Sequence, residues 1–433
     1  TDIDRRSVER LAATAPPLPD PWTDEQRRAF VDLLLAGPPA IRVIETLDQR
    51  DLWRRVLPEW TAVRARPQRN AYHRFTVDRH LLETAANAAR LADRVDRPDL
   101  LVIAALLHDI GKGRPGDHTE VGVGLAAGIT SRMGYPAADV EVICRLVEHH
   151  LLLSEVATRR DLDDPTTVMR VVSSVASASQ LQLLAALTEA DSLATGSAAW
   201  GPWKAELVGR LVERVLHVLE GGELSEVVEA SFPTPAALER LARGGRVLEG
   251  AGDTLVVMAD DRPGMFSRVA GVLALHGLDV MSAAAHSRAG RALSEFHVRG
   301  RLRPEIRWER VVADLERALD GRLALQSRLA ERSRTYRRRD ARGPRPGVHV
   351  RVDNHASAEW TVIDVHASDG EGVLYRITRA FAELDLDIRS AKVETQAGTV
   401  VDAFYVSDAH GAKITDTDTL AELERAITHS LAE

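Results

Sequence analysis

A chain of 433 residues exceeds one ordinary core, so two to four domains are expected, and 45% hydrophobic with 28% charged residues is the balance of a soluble globular protein. The net charge of −8 argues against a general nucleic-acid binder, and no apolar run approaches the roughly 18 residues of a membrane span. A single cysteine, Cys144, excludes an internal disulfide framework and suits a reducing cytoplasm.

The opening stretch, TDIDRRSVERLAATAPPLPDPW, is polar and proline-rich and does not read as a signal peptide. It begins at Thr1 without an initiator methionine, which suits a chain processed or cut from a longer protein. Residues 1–70 read as a helical extension broken by prolines. Apolar residues then recur at three- and four-residue spacing over 78–95, 99–110, 118–133 and 137–150, and again over 165–178, 179–194 and 201–219. Strand-like alternation is nearly absent before residue 220, so 71–220 is expected to form one all-α domain.

After Gly221-Gly222 the pattern changes. DTLVVMA (253–259) alternates as a strand, DRPG turns, and MFSRVAGVLALHG is an amphipathic helix. LDVMSAAAHSR and RALSEFHVRG flank a turn at Ala289-Gly290, and WERVVADLERALDG closes the unit. The same plan returns 108 residues later: Asp261 falls on Asp369, Gly264 on Gly372, Arg268 on Arg376, Asp279 on Asp387, Gly290 on Gly398 and Phe296 on Phe404. Each copy reads as an α+β ferredoxin-like βαββαβ unit, at 250–330 and 359–433. Between them, 331–358 reads as an Arg-rich linker whose basic run is a solvated face.

The chemistry gathers in the helical half. Residues 104–113 read AALLHDIGKG, an apolar helix ending in His108 and Asp109. Six of the fifteen histidines lie between 73 and 150: His73, His80, His108, His118, His149 and His150. Asp191 follows at the end of another apolar helix. Singly, His80 reads as a surface histidine, His108-Asp109 as a polar helix end and Asp191 as a cap. Jointly, imidazoles and carboxylates placed at the ends of separate helices are a donor set for a hard divalent ion. His149 reads as a solvated neighbour, His73 is undecided, and Cys144 reads as a small core residue rather than a thiolate.

The order His, then His-Asp, then a distant Asp resembles the HD phosphohydrolase superfamily, and His80, His108, Asp109 and Asp191 match its core residue by residue. Some members hold a second metal on further histidines, whose positions His118 and His150 match; otherwise either can move a proton near neutral pH. HDIGKG places Lys112 where relatives aim a lysine at substrate phosphate. Longer stretches narrow the resemblance: QRNAYHRFTVDRHLLET (68–84), HDIGKGRPGDHTEVG (108–122), HHLLLSEVATRRDLDDP (149–165) and EADSLATGSAAWGPWKAEL (189–207). They are similar to the bifunctional PII uridylyltransferase/uridylyl-removing family, whose actinobacterial members act as PII adenylyltransferases.

That resemblance implies Mn²⁺- or Mg²⁺-dependent removal of UMP or AMP from a tyrosine of the PII signalling protein, with one or two ions. It also implies two glutamine-sensing ACT domains, often paired through sheet edges, within one chain or between chains of a homo-oligomer. Their ligand loops would be Asp261-Arg262-Pro263-Gly264, the better match, with Asp279, and Asp369-Gly370-Glu371-Gly372 with Asp387. Ordinary glycine turns are the alternative at both. No Gly-Ser-rich loop with paired aspartates precedes residue 70, so nucleotide addition is not expected from this chain alone. Two other functions stand as alternatives: a small-nucleotide phosphohydrolase, which HDIGKG in place of HDxxED weighs against, and a non-catalytic amino-acid sensor, which the intact core ligands weigh against.

Overall fold

The computed structural model describes residues 5–68, 74–196, 199–226, 232–300, 305–335, 347–370, 372–396 and 399–432. His73, Glu371, Gly398 and most of the Arg-rich run, 336–346, lie outside them. The chain divides into two compact units, Thr1–Ala157 with Val168–Val227, and Thr158–Thr167 with Val228–Glu433. Among the described residues no single helix is long and apolar enough to cross a membrane.

The first unit is helical. It comprises α1 (Arg5–Thr14), α2 (Asp24–Leu35), α3 (Pro38–Asp48), α4 (Leu52–Val56), α5 (Val77–Arg90), α6 (Pro98–Leu107), α7 (His118–Arg132), α8 (Ala137–Glu148), α9 (Leu152–Arg159), α10 (Pro165–Ser174), α11 (Ala178–Thr195) and α12 (Pro202–Leu219). The last two residues of α9 and the first three of α10 fall in the second unit. Helix α6, PDLLVIAALL, has no polar side, and every residue from Leu100 to Leu107 is buried. A helix apolar all round belongs at the centre of its unit, and α5, α8 and α11 pack against it. Pro98 starts it at a position where a missing N–H costs nothing. In the first 70 residues, Phe30 stacks on Trp53 and Trp53 meets Trp60 edge-on, while α2 packs on α5 and α6.

The second unit begins with α13 (Pro235–Ala242), β1 (Val247–Ala251), β2 (Thr254–Asp260), α14 (Met265–Leu275), β3 (Leu278–Arg288), β4 (Arg291–Gly300), α15 (Trp308–Leu319) and α16 (Leu325–Thr335). Then come β5 (His349–Asp353), β6 (Thr361–Ser368), α17 (Val373–Glu383), β7 (Asp387–Gln396), β8 (Thr399–Ser407) and α18 (Thr417–Ala432). All the strands join one antiparallel sheet in the order β1-β2-β4-β3-β7-β8-β6-β5. Phe296 and Phe404 hold equivalent places in the two repeats, and each packs on a helix phenylalanine, Phe266 and Phe381 respectively, about 5 Å between ring centres.

The repeats meet at β3 and β7, where Ser282, Ala283 and Ala284 pair with Lys392, Ala391 and Ser390. Ala283 and Ala391 are equivalent under the 108-residue shift, so a pseudo-two-fold axis passes between them. Edge pairing of the repeats is thus satisfied inside this chain.

Three expectations from sequence need correction in detail. The edge position beside β2 or β6 is filled by a strand that precedes the unit, not one that follows its second helix. Consequently β1 starts ahead of residue 250, and β5 lies inside the stretch read as linker, which α16 also enters. Lastly, Thr158–Thr167 leaves the expected contiguous 71–220 domain and belongs to the second unit. There the Arg160 guanidinium donates to both carboxylate oxygens of Asp364 at 2.6 and 2.8 Å, and the Asp161 N–H donates to the buried Tyr405 hydroxyl at 2.7 Å.

Candidate metal centre

Five helices deliver the candidate ligands. His80 stands in the first turn of α5, His108 caps α6 with Asp109 next in the turn, His118 opens α7, His150 lies just past α8, and Asp191 is near the end of α11. Glycine makes this assembly possible at one place. A Cβ on Gly111 would overlap the His118 carbonyl oxygen and stand 2.6 Å from Gly122 N, so only glycine lets the first turn of α7 sit on the HDIGKG turn. Asp117 then caps α7, accepting from the N–H groups of Thr119 and Glu120 at 2.8 and 3.1 Å.

The side chains form two trios, His80 with His108 and Asp191, and Asp109 with His118 and His150. His80 Nε2 lies 2.9 Å from Asp191 Oδ1 and 3.2 Å from His108 Nε2; His108 Nε2 is 3.5 Å from the same carboxylate oxygen. Asp109 links the trios. Its Oδ2 is 3.5 and 3.9 Å from His108 and His80 Nε2, and its Oδ1 is 3.9 Å from both His118 and His150 Nε2. His80, His108, Asp109 and His150 are almost fully buried, whereas the His118 side chain is 38% exposed and gives the site its open side.

These residues suit a divalent cation. Donors about 2.1 Å from an ion and roughly 90–135° apart stand about 3.0–3.9 Å from each other, close to the spacing here. Asp109 Oδ1 is buried and, among the described residues, accepts no hydrogen bond. His108 and His150 turn Nδ1 to the carbonyls of Ala105 and Val147, at 2.8 and 2.7 Å. Those contacts assign Nδ1–H to each ring and leave the Nε2 lone pair facing the cluster.

Electrostatics points the same way for both carboxylates and for His150, whereas His108 is shifted toward its protonated form. Burial opposes charge on Asp109, yet His108, Lys112, His150 and His80 together hold its carboxyl far below the usual carboxylate range. Asp191 is likewise depressed against the effect of burial, by His108 and His80. Burial also opposes charge on His108, but Asp109 and Asp191 prevail and raise it. Burial, reinforced by His108, lowers His150. Ionised carboxylates beside a neutral His150 are in the form metal binding requires.

Lys112 Nζ lies 2.5 Å from Asp109 Oδ2 and donates to Gln68 Oε1 at 3.1 Å, which puts the one ammonium of the HDIGKG turn directly on the linking carboxylate. His149 is only partly exposed and lies 3.8 Å from Glu148. Burial raises the Cys144 thiol, whose Sγ points at the Val123 carbonyl, so it is no thiolate donor. The Ala105 and Val147 carbonyls and Gln68 escaped the sequence reading; a backbone carbonyl leaves no mark on sequence, and Gln68 gives no signal without its partner.

The effector candidates separate into two places in the second unit. Asp279, Asp369 and Gly372 line one cavity of about 60 Å³, together with Gly277, Gly370 and the fully buried Asp402. Asp261 and Gly264 lie on the pseudo-symmetric side, near Asp387 and Ala382. There burial, with Asp261 and Asp408 nearby, raises the Asp387 carboxyl although Arg389 opposes it. Gly264 and Gly372 precede α14 and α17 at φ 77° and 73°, the left-handed region that glycine occupies without strain.

Helices that converge on paired His/Asp trios, followed by a duplicated ferredoxin-like sheet, define an HD-type helical domain joined to an ACT region. Residues 77–196 match the HD domain and residues 356–433 the ACR family N-terminal ACT domain. Homologues along nearly the whole chain are bifunctional uridylyltransferase/uridylyl-removing enzymes. That of Streptomyces coelicolor is 43% identical over 99% of this chain and 57% of its own length. Those of Mycobacterium tuberculosis H37Rv and Azospirillum brasilense are 38% and 31% identical, each over 94% of this chain and 52% and 51% of their own lengths. The chain therefore spans about half the length of these relatives.

Proposed function

We propose that this chain is a glutamine-regulated, metal-dependent hydrolase that removes UMP or AMP from a tyrosine of the PII signalling protein. The observation that carries this reading is the pair of trios linked by Asp109. His80, His108 and Asp191 would hold one Mn²⁺ or Mg²⁺, and Asp109 with His118 and His150 a second. A bound divalent ion supplies an acidified water and screens phosphoryl charge. The chain's own groups do the rest. Asp109 keeps the two trios in register, the Ala105 and Val147 carbonyls fix the imidazoles, and Lys112 offers an ammonium to the developing phosphoryl charge. His118, the exposed member, faces the side from which a protein-borne tyrosyl phosphodiester can enter. Cys144 as a free thiol suits a cytoplasmic setting.

Nucleotidylated PII incubated with the chain and Mn²⁺ should release UMP or AMP, and Asp109→Ala should slow release by at least about 100-fold. Unchanged release in that variant would discard the assignment. Hydrolysis of free nucleotides with none of PII would instead favour a small-nucleotide phosphohydrolase.

Glutamine is proposed to bind the cavity lined by Asp279, Asp369 and Gly372. Its volume is several times the roughly 10–15 Å³ one water needs. The first amides of α17 can receive a carboxylate there, and Asp279 an ammonium. Glutamine titrated into Gly372→Val should bind at least about tenfold more weakly, and into Gly264→Val nearly as in the unmodified chain; the reverse order would move the site to the other loop.

A further inference from the structure

The 56 basic residues include only four lysines, Lys112, Lys204, Lys392 and Lys413, so the HDIGKG turn carries an ammonium in a chain that otherwise relies on arginine. A lysine has a flexible four-carbon stem and needs a fixed acceptor to hold its charge in one place. Two acceptors meet Lys112 Nζ, Asp109 Oδ2 at 2.5 Å and Gln68 Oε1 at 3.1 Å. Both oxygens of Asp109 face the imidazoles of the trios. In the proposed centre that carboxylate serves the ions, and Gln68 is the acceptor left to the ammonium. The backbone before Gln68 is built onto the same centre. The Val77 N–H donates to the Arg66 carbonyl at 2.9 Å and the Ala65 N–H to Asp78 Oδ2 at 2.7 Å, which ties this stretch to the helix that carries His80. On its other side a Cβ on Gly113 would stand 2.5 Å from the Ala62 carbonyl oxygen, so glycine lets the HDIGKG turn close on residues 62–66. The carboxamide itself is oriented for the lysine. An ammonium can only donate, so Oε1 faces Nζ and Nε2 turns away, buried and without an acceptor among the described residues. A buried donor left unpaired is costly, and an apolar side chain of similar length would avoid that cost. What the glutamine supplies instead is the acceptor for Lys112.

We propose that Gln68 is the positioning residue of the phosphoryl site: its neutral carboxamide fixes the Lys112 ammonium beside Asp109 without taking its charge. The full positive charge then meets a phosphoryl oxygen of the substrate. A glutamate in this place would hold the lysine as firmly but cancel the charge that the substrate needs. A leucine would leave the charge intact but unplaced, and a misplacement of about 1 Å is enough to slow a reaction strongly. This rests on the helical centre being the hydrolase site proposed above, and it adds the residue that aims its ammonium.

The test is nuclear magnetic resonance of the full chain with ¹³C-labelled lysine, whose four ε-methylene signals are few enough to assign, with Mg²⁺ present and inorganic phosphate as the probe. In the unmodified chain phosphate should shift the Lys112 signal. In Gln68→Leu that signal should move to the position of a freely rotating lysine, and phosphate should bind about tenfold more weakly. Release from nucleotidylated PII should fall by a similar factor, while Mn²⁺ affinity measured by calorimetry stays unchanged. Gln68→Glu should keep the Lys112 signal in place and still weaken phosphate. A Lys112 signal that stays put in Gln68→Leu, or Mn²⁺ affinity that falls with phosphate affinity, would overturn the role of Gln68 and leave the hydrolase reading standing. A Lys112 signal indifferent to phosphate in the unmodified chain would overturn it as well. Undiminished phosphate binding by Gln68→Glu would overturn the need for a neutral carboxamide. Absence of nucleotide release by the unmodified chain, with phosphate still bound at Lys112, would overturn the hydrolase reading instead.

Discussion

A side chain on Gly111 would collide with the first turn of α7, which carries His118. Gly111→Ala should therefore cost about 1–3 kcal/mol by overpacking, but its larger effect belongs to function. Displacing His118 by about 1 Å opens the second trio, so nucleotide release should fall by roughly 100-fold while the fold, followed by circular dichroism, persists. Ordinary release by Gly111→Ala would show that the contact yields elsewhere. A second residue separates packing from chemistry. Ile103 is fully buried in α6 one turn before the ligands, and Ile103→Ala should lower stability by about 2–5 kcal/mol in denaturant titration. A merely structural change of this kind should reduce activity only in proportion to the unfolded fraction.

At the scale of elements, the helices that carry ligands were legible because each has a strong three-to-four-residue pattern and a polar residue at its end. His80, His108-Asp109, His118, His150 and Asp191 could be placed on helix ends before any coordinates. Their mutual distances could not, since those depend on how α5, α7, α8 and α11 sit about α6. The strands that escaped notice, β1 and β5, are five residues long and alternate only between exposed and half-buried positions, with no residue fully buried. An edge strand is held by its neighbour's hydrogen bonds more than by its own sequence. Helix α16 was hidden differently: LQSRLAERSRT is polar enough to pass for the start of a linker, and only Leu325 and Leu329, buried in the core of the sheet unit, seat it there. A proline tests that seat. Ala330→Pro, in the middle of α16, should cost about 3 kcal/mol, read as a lower melting transition of the sheet unit, without altering Mn²⁺-dependent release in glutamine's absence. Release that fell in parallel would mean the helix supports more than its own unit.

For the whole molecule, two ligands are assigned to two compact units, and each should leave its own thermodynamic trace. Mn²⁺ at about 100 times its dissociation constant should stabilise the helical unit by about 2.7 kcal/mol, seen as a higher melting transition that Asp191→Ala no longer shows. Glutamine should raise the transition of the sheet unit. Linkage requires any factor by which glutamine changes Mn²⁺ affinity to equal the factor by which Mn²⁺ changes glutamine affinity, so paired titrations yield the coupling twice, and a factor of one would remove equilibrium regulation of metal binding. The pseudo-two-fold at Ala283 and Ala391 bears on what such titrations look like. Identical molecules meeting about a true axis must carry twin recesses and can only evolve them in step. Tandem duplication lifts that restriction: Gly370 corresponds to Arg262, and Asp402 to Ser294. One recess is free to become a receptor while its twin turns into scaffold, and on the proposed assignment a chain so divided should answer rising glutamine with simple hyperbolic saturation.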